Sequence, residues 1–111
     1  KDIPGIRMLK DIEGVRHNYA YFPIFIDETA YGLSRDTLYA KLQEYNIYGR
    51  RYFYPLISTF SAYKGLESAN PKKLPVAHKL ADQVLCLPMF AGLDPDNEDK
   101  IIDIVRKSAR K

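Results

Sequence analysis

Residues 18–27 decide the fold of this chain, because Asn-Tyr-Ala-Tyr-Phe-Pro-Ile-Phe-Ile-Asp is its clearest strand pattern. Aromatic and β-branched side chains alternate there with period two, which is typical of a strand in a sheet. Both faces are largely apolar, so one face is expected to pack on helices and the other against something else. Pro23 removes one backbone donor, which predicts that it lies at a sheet edge or a bulge.

Further strands are predicted on either side of this one. The segment 47–54 is rich in aromatic residues and is closed by Pro55, so it is predicted as a strand. A short apolar strand is predicted over 85–87, and residues 6–12 are predicted as a weak strand or an extended lead-in. Residues 56–74 are predicted as a long connection, and loops of that length tend to be functional.

Three helices are predicted from their capping residues. Ser34 favours a helix over about 35–45 that Asn46 ends in a left-handed conformation. Pro75 begins a helix that runs into the 85–87 strand, and Asp94 caps a last helix over 95–109. The last helix is expected to bury four side chains, those of Ile101, Ile102, Ile104 and Val105.

The element order (β)-β-α-β-α-β-α predicts an α+β fold. We expect a small, mostly antiparallel sheet of three or four strands with helices packed on one face. The strands 19–26 and 47–54 are expected at the centre of that sheet. A chain of 111 residues is the size of one domain, so we predict a single domain over 1–111.

Composition narrows the class of protein. The formal net charge is only +3, and the single Cys86 excludes an internal disulfide framework and favours a reducing, cytoplasmic compartment. No apolar run approaches the ~20 residues that cross a bilayer, so no membrane partner is predicted. His17 and His78 have no ligand at metal spacing, so no metal site is predicted. The chain starts without Met, which suggests a piece excised from a longer protein.

The run Arg50-Arg51-Tyr52-Phe53-Tyr54 supports two functional hypotheses. One is nucleic-acid binding, in which the rings stack on bases and the arginines hold phosphates. The other is a pocket wall, in which one arginine meets a diphosphate and Tyr54 meets a sugar or base. A structural alternative is that the arginines have no ligand and only cover apolar surface with the methylene groups of their side chains.

The element Phe53-Tyr54-Pro55, followed by Pro75-Val76-Ala77 and then Leu85-Cys86-Leu87-Pro88, resembles the C-terminal part of the DegT-type sugar aminotransferases. The longer version beginning at Arg50 is similar to the subgroup that works on deoxythymidine-diphosphate deoxy-keto-sugars. Many members carry a histidine a few residues after this element. Here Ser58 or Thr59 is the candidate for that place.

The resemblance implies that the chain is the C-terminal domain of a pyridoxal-phosphate (PLP) enzyme. That enzyme would transfer an amino group, usually from glutamate, to a nucleotide-linked keto-deoxysugar. The lysine that binds PLP would belong to a large N-terminal domain, so no catalytic or cofactor residue is expected here and the isolated chain is expected to be inactive. Its expected partners are that domain, the nucleotide sugar and a second copy in a homodimer, with no nucleic acid. The alternatives are a stand-alone nucleic-acid-binding α+β domain using 50–54, or a structural or dimerisation module.

The predicted substrate-binding residues are Arg50, Arg51, Tyr54 and Ser58, along one rim where the strand opens into the long loop. Strand alternation would place Arg50 and Tyr54 on one face and Arg51 on the other. At most one arginine could then share the surroundings of Tyr54. Arg51 is the expected phosphate partner only if the strand bulges near Pro55, and Arg50 is the expected partner otherwise.

Overall fold

The computed structural model describes residues 3–110. Three strands and four α-helices occur in the order β-β-α-α-α-β-α. Their bounds are β1 Ile6–Met8, β2 Phe22–Ile26, α1 Glu28–Tyr31, α2 Arg35–Glu44, α3 Pro75–Gln83, β3 Val84–Leu87 and α4 Pro95–Ser108. The connection before α3 contains three short 3₁₀ helices, Ile57–Thr59, Glu67–Ala69 and Pro71–Lys73.

The three strands form one antiparallel sheet in the order β1-β2-β3. Ile24 lies opposite Met8 on one side and opposite Leu85 on the other. β2 is therefore the central strand, as its period-two pattern predicts. The α+β prediction of a small antiparallel sheet with helices is confirmed.

The core lies between one face of this sheet and the helices α2 and α4. Ile24, Ile26 and Leu85 are at most 2% exposed and belong to one cluster with buried side chains of both helices. The members of the cluster in α2 and α4 are Leu38, Leu42, Ile101 and Val105. Ile102, predicted to be buried in the last helix, is instead 45% exposed, because it lies one residue off the buried stripe of α4.

Tyr31 fastens the short helix α1 to this core. Its side chain is fully buried, and its hydroxyl donates a hydrogen bond of 2.6 Å to the Val105 carbonyl. Burial raises the pKa of Tyr31 to about 12. The phenol therefore remains neutral, which is the form that can donate this bond.

The predicted capping residues occupy their expected places. Ser34 accepts a hydrogen bond from the Thr37 amide, and Asp94 accepts one from the Asn97 amide. Asn46 has φ +60° just after α2, in the left-handed region. Local sequence therefore sets where these helices begin and where α2 ends.

Pro23 lies in the central strand β2, but at this position β2 pairs only with β3. It is opposite Cys86, whose own amide and carbonyl both bond to Arg50 on the far side of β3. Pro23 and Cys86 thus form a non-hydrogen-bonded pair, and the Pro23 nitrogen faces the side on which β1 has ended at Met8. Because no strand pairs with Pro23 on that side, its missing amide donor costs no hydrogen bond in the sheet. Pro23 therefore lies at a local edge of the sheet, as predicted.

The prediction of a central strand over 47–54 is wrong. Only Arg50 pairs with the sheet, as an isolated bridge to Cys86. Immediately afterwards the Tyr54 amide donates to the Arg51 carbonyl over 2.9 Å, which closes a turn. Pairing with β3 ends at Arg50, and the next residue, Arg51, instead reaches α2, where it forms an ion pair with Asp36. Aromatic side chains gave this segment a strand-like pattern, but in the fold they cover a turn.

Candidate functional site

Gly49 brings the basic-aromatic segment close to β3. A Cβ at this position would lie 3.0 Å from the Cys86 carbonyl oxygen and 3.0 Å from a methyl carbon of Leu85. The absence of a side chain lets the next residue, Arg50, exchange two backbone hydrogen bonds with Cys86, of 2.8 and 2.7 Å. Arg50 is thereby fixed at the outer edge of the sheet.

The two arginines face opposite sides of this edge. Arg50 is opposite Cys86, which in turn is opposite Pro23, and directly opposed residues share a face of a sheet. That face is the one away from the core, because Leu85 and Ile24 occupy the other. Arg51 consequently points to the core side and reaches the start of α2.

Arg51 lies in a cluster with Asp36 and two tyrosines. Its Nη1 donates to the Asp36 carboxylate over 2.9 Å. Its guanidinium lies 4.8 Å from the ring centre of Tyr39 and 5.2 Å from that of Tyr54. Partial burial alone would raise the pKa of Asp36, but the hydrogen bond from Arg51 and the charge of Arg35 outweigh it and lower that pKa.

Arg35 holds this cluster on the body of the domain. It is only 3% exposed, and its Nη1 donates to the carbonyls of Ala81 and Val84 over 2.8 and 3.0 Å, at the junction of α3 and β3. Its guanidinium also lies 4.6 Å from the ring centre of Tyr54. The Tyr54 ring therefore contacts two guanidinium groups, those of Arg35 and Arg51.

Arg50 lines a cavity of about 270 Å³ on the other side. We call it the Arg50 cavity, and its lining is Ala20, Tyr21, Tyr48, Arg50, Tyr52, Cys86, Leu87, Pro88 and Met89. The Arg50 Nη1 donates to the Tyr52 hydroxyl over 2.7 Å. The rings of Tyr52 and Tyr21 meet edge to face, with centres 5.0 Å apart.

Cys86 belongs to the floor of this cavity. Its side chain is buried, and burial raises the pKa of its thiol despite an opposing hydrogen bond with the Tyr52 backbone. A thiol held protonated is a poor nucleophile. Cys86 therefore acts as a small apolar residue.

The structure brings together only part of the predicted rim. Arg51 and Tyr54 are in contact, whereas Arg50 lies with Tyr52 on the opposite side. The prediction that Arg50 and Tyr54 share a face is therefore wrong, because the turn after Arg51 interrupts strand alternation. Ser58 is half-buried in the 3₁₀ helix Ile57–Thr59, and no hydrogen bond joins its side chain to the other three within residues 3–110.

Sequence reasoning missed Arg35, Tyr21 and Tyr48 as parts of these two sites. Arg35 directly follows a helix cap, a position where a solvated arginine is ordinary, so no local signal marks it as buried. Tyr21 and Tyr48 stand out only as aromatic residues in strand-like segments. Their meeting with Arg50 depends on how distant segments pair.

Metal-binding clusters are absent from the described part of the chain. No group of His, Cys, Asp or Glu side chains within residues 3–110 could hold a metal ion. Among the helices of that region, none has the length and apolar character needed to cross a membrane.

Two curated relatives match this chain over nearly its whole length. One is "dTDP-4-amino-4,6-dideoxy-D-glucose transaminase" of Escherichia coli, 43% identical over 106 residues. The other carries the same name in Shigella dysenteriae and is 40% identical over 107 residues. Each match covers 96% of this chain and 28% of the relative, so the chain spans little more than a quarter of their length.

Solved structures show the same relationship in three dimensions. A DegT DnrJ EryC1 StrS aminotransferase from Brucella abortus superposes with a TM-score of 0.78 at 30% identity, over 96% of this chain and 27% of its own. The aminotransferase TlmJ from Streptoalloteichus hindustanus gives 0.75 at 25% identity, over 94% of this chain and 26% of its own. Residues 1–106 match the sequence profile of the same group. The chain belongs to the DegT/DnrJ/EryC1/StrS aminotransferase family.

Proposed function

We propose that this chain is the C-terminal domain of a PLP-dependent aminotransferase that acts on a nucleotide-linked keto-deoxysugar. One observation carries the proposal: two relatives named as dTDP-4-amino-4,6-dideoxy-D-glucose transaminases align with 96% of the chain at 43% and 40% identity. Identity of that size across the whole segment supports a shared substrate class. Glutamate as amino donor, cytoplasmic location and a homodimer are parts of the same proposal.

PLP supplies the electron sink through which an amino group moves between donor and acceptor. Residues 3–110 do not fit this cofactor, because neither the Arg50 cavity nor a second cavity between the sheet and α4 is lined by a lysine. We therefore assign the cofactor site, and the chemical steps with it, to the expected large N-terminal domain. The part played by this chain is to bind and orient the nucleotide sugar.

The proposed substrate-binding residues are Arg50, Arg51, Tyr54 and Ser58. Arginine suits this role because its planar fork can give two parallel hydrogen bonds to a phosphate. Arg51 and Tyr54 are held in place by contacts with Asp36 and the buried Arg35. A pre-ordered wall of this kind binds with less loss of side-chain entropy.

Nucleic-acid binding by 50–54 is the alternative function, and the fold gives it less support. An RNA-recognition sheet needs two neighbouring aromatic strands with their rings on one open face. Here 47–54 pairs with the sheet at Arg50 alone, so the described residues form no such continuous platform.

The test is an amination assay on the full-length protein. It should convert dTDP-4-keto-6-deoxy-D-glucose to the 4-amino sugar with glutamate as donor, as followed by mass spectrometry. A control reaction without glutamate should give no product. Failure to aminate this or any other nucleotide keto-sugar with any amino-acid donor would refute the proposed function.

A further inference from the structure

We infer that the Arg50 cavity binds the nucleoside diphosphate portion of the substrate, with Arg50 on the phosphates and the tyrosines beside the nucleoside. The inference rests on the proposed function for the choice of ligand. It goes further by choosing between the two arginines and by adding Tyr21 and Tyr48, which the sequence did not single out.

The charges of the two sites decide which arginine meets a phosphate. Arg51 is already paired at 2.9 Å with the Asp36 carboxylate, which also pairs with Arg35 at 2.8 Å. That cluster keeps a net positive charge, but a phosphate at Arg51 would have to compete with the carboxylate for its guanidinium. Arg50 is exposed, has no ion-pair partner within residues 3–110, and donates only to the neutral Tyr52 hydroxyl. No acidic side chain lines its cavity. The Arg50 cavity therefore offers an uncompensated positive charge, which favours an anionic ligand.

The remaining lining suits a ring attached to that anion. Tyr48 is 63% exposed and Tyr21 is 50% exposed, so both present ring surface that a base or sugar can cover. Base–aromatic stacking contributes binding free energy without needing a particular base. The phenolic hydroxyls add neutral hydrogen-bond donors beside Arg50.

The size of the cavity limits what it can hold. Its volume of about 270 Å³ is just below the ~300 Å³ at which pockets for complete small ligands begin. A nucleotide sugar is a large ligand, so only one portion of it fits. The anion-plus-ring character of the lining selects the nucleoside diphosphate end.

The test is direct titration of the full-length protein with thymidine diphosphate by calorimetry. Arg50→Ala should weaken Kd by about 10- to 150-fold, the effect expected for losing a hydrogen bond to a charged group. Arg50→Lys should recover part of the affinity, because it keeps the charge but not the planar fork. Arg7→Ala is the matched control: Arg7 is an exposed arginine outside the cavity, stacked on Phe25, and its loss should change Kd by less than about two-fold.

Two smaller probes assign the parts of the cavity. Arg50→Ala should weaken binding of inorganic pyrophosphate but leave thymidine unaffected. Tyr48→Ala should do the reverse. Circular dichroism and the urea midpoint check that each variant is folded. If Arg50→Ala does not fold, Arg50→Lys provides the test instead.

Several outcomes would overturn the inference. These are no binding of thymidine diphosphate by the wild type, an unchanged Kd in Arg50→Ala and Arg50→Lys, or a loss confined to Arg51→Ala. Tighter binding of oligo-dT than of thymidine diphosphate, with a steep salt dependence, would also overturn it in favour of a nucleic-acid site.

If thymidine diphosphate binds through Arg50 but no keto-sugar is aminated, the proposed function fails and the site stands. If amination proceeds and Arg50→Ala binds normally, the site fails and the function stands.

Discussion

Arg51 donates a hydrogen bond of 2.9 Å to Asp36, which ties the turn after the sheet edge to the first turn of α2. These residues are 15 positions apart, and the contact holds the aromatic segment against α2 after it has left β3. It also sets Arg51 beside Tyr54 and away from Arg50. The ion pair should therefore contribute to the stability of the domain.

Asp36→Asn should lower the free energy of unfolding at pH 7 by about 0.2–1 kcal/mol, the range for partly exposed pairs. Because the folded-state pKa of Asp36 is lowered, its contribution is present above the unfolded value of about 3.9 and is lost as pH falls through the folded value. Urea unfolding at about pH 7 and about pH 2.5 should show a smaller difference between wild type and variant at the lower pH. Asp99→Asn, an exposed aspartate of α4, is the control, and an effect of Asp36→Asn that is the same at both pH values would contradict the prediction.

Arg35→Ala should destabilise the domain by about 2–5 kcal/mol, because it removes both donors from the buried carbonyls of Ala81 and Val84. Each buried acceptor left unpaired costs about 1–3 kcal/mol. Urea unfolding measures the change. Arg106→Ala removes an arginine whose side chain is 61% exposed and should change the stability by less than about 0.5 kcal/mol. Equal effects of the two substitutions would show that Arg35 does not join α2 to the α3–β3 junction.

Gly49→Ala should destabilise the domain by about 1–3 kcal/mol through overpacking. Its Cβ would press on the Cys86 carbonyl, which cannot move without breaking the bridge to Arg50. Thermal unfolding should show a lower Tm, and in the full-length protein affinity for the nucleotide sugar should fall as Arg50 is displaced. Gly65→Ala is the matched control, since nothing lies within 4 Å of a Cβ there. A Tm for Gly49→Ala equal to that of the control would mean that the close approach to β3 is not needed.

The 111-residue chain alone should not transaminate and should form no specific covalent adduct with PLP. Each lysine within residues 3–110 is exposed or half-buried, and none lines the Arg50 cavity or the second cavity between the sheet and α4. Borohydride reduction after mixing with PLP, followed by mass spectrometry, should reveal only low, scattered labelling. Stoichiometric labelling of one lysine would require a cofactor site within this chain.

In the full-length enzyme, Arg50→Ala should raise KM for the nucleotide sugar while the half-reaction with the amino donor stays nearly intact. The expected loss is about 1.5–3 kcal/mol in kcat/KM for the sugar. Steady-state kinetics with both substrates, together with single-turnover spectra with the donor alone, separate the two halves. If Arg50→Ala and Arg51→Ala both keep the wild-type KM, the two arginines are surface residues.

Local sequence determined the helix ends and the central strand, because the interactions that fix them lie within a few residues. Ser34 and Asp94 begin helices because their side chains bond amides three residues away, and Asn46 ends α2 because it tolerates a positive φ. The alternation in residues 18–27 identified the central strand and the two sets of side chains on its faces, because the side-chain period of a strand does not depend on its partners. Both faces are largely apolar, so only the packing of the helices decided which one is the core face. The family, too, was apparent from motifs spread over 50–88.

Tertiary structure alone decided the site. Residues 47–54 have the composition of a strand, but they pair with β3 only at Arg50, and Arg51 forms an ion pair with α2 instead. Nothing in the local sequence distinguishes Arg35 from Arg50. In the fold, Arg35 is buried and donates to two backbone carbonyls that lie 46 and 49 residues further along the chain. Arg50 instead lines an open cavity. Which side chain is left with an unpaired charge depends on contacts between distant segments. No local pattern encodes those contacts, because they form only when β2, β3 and α2 pack together.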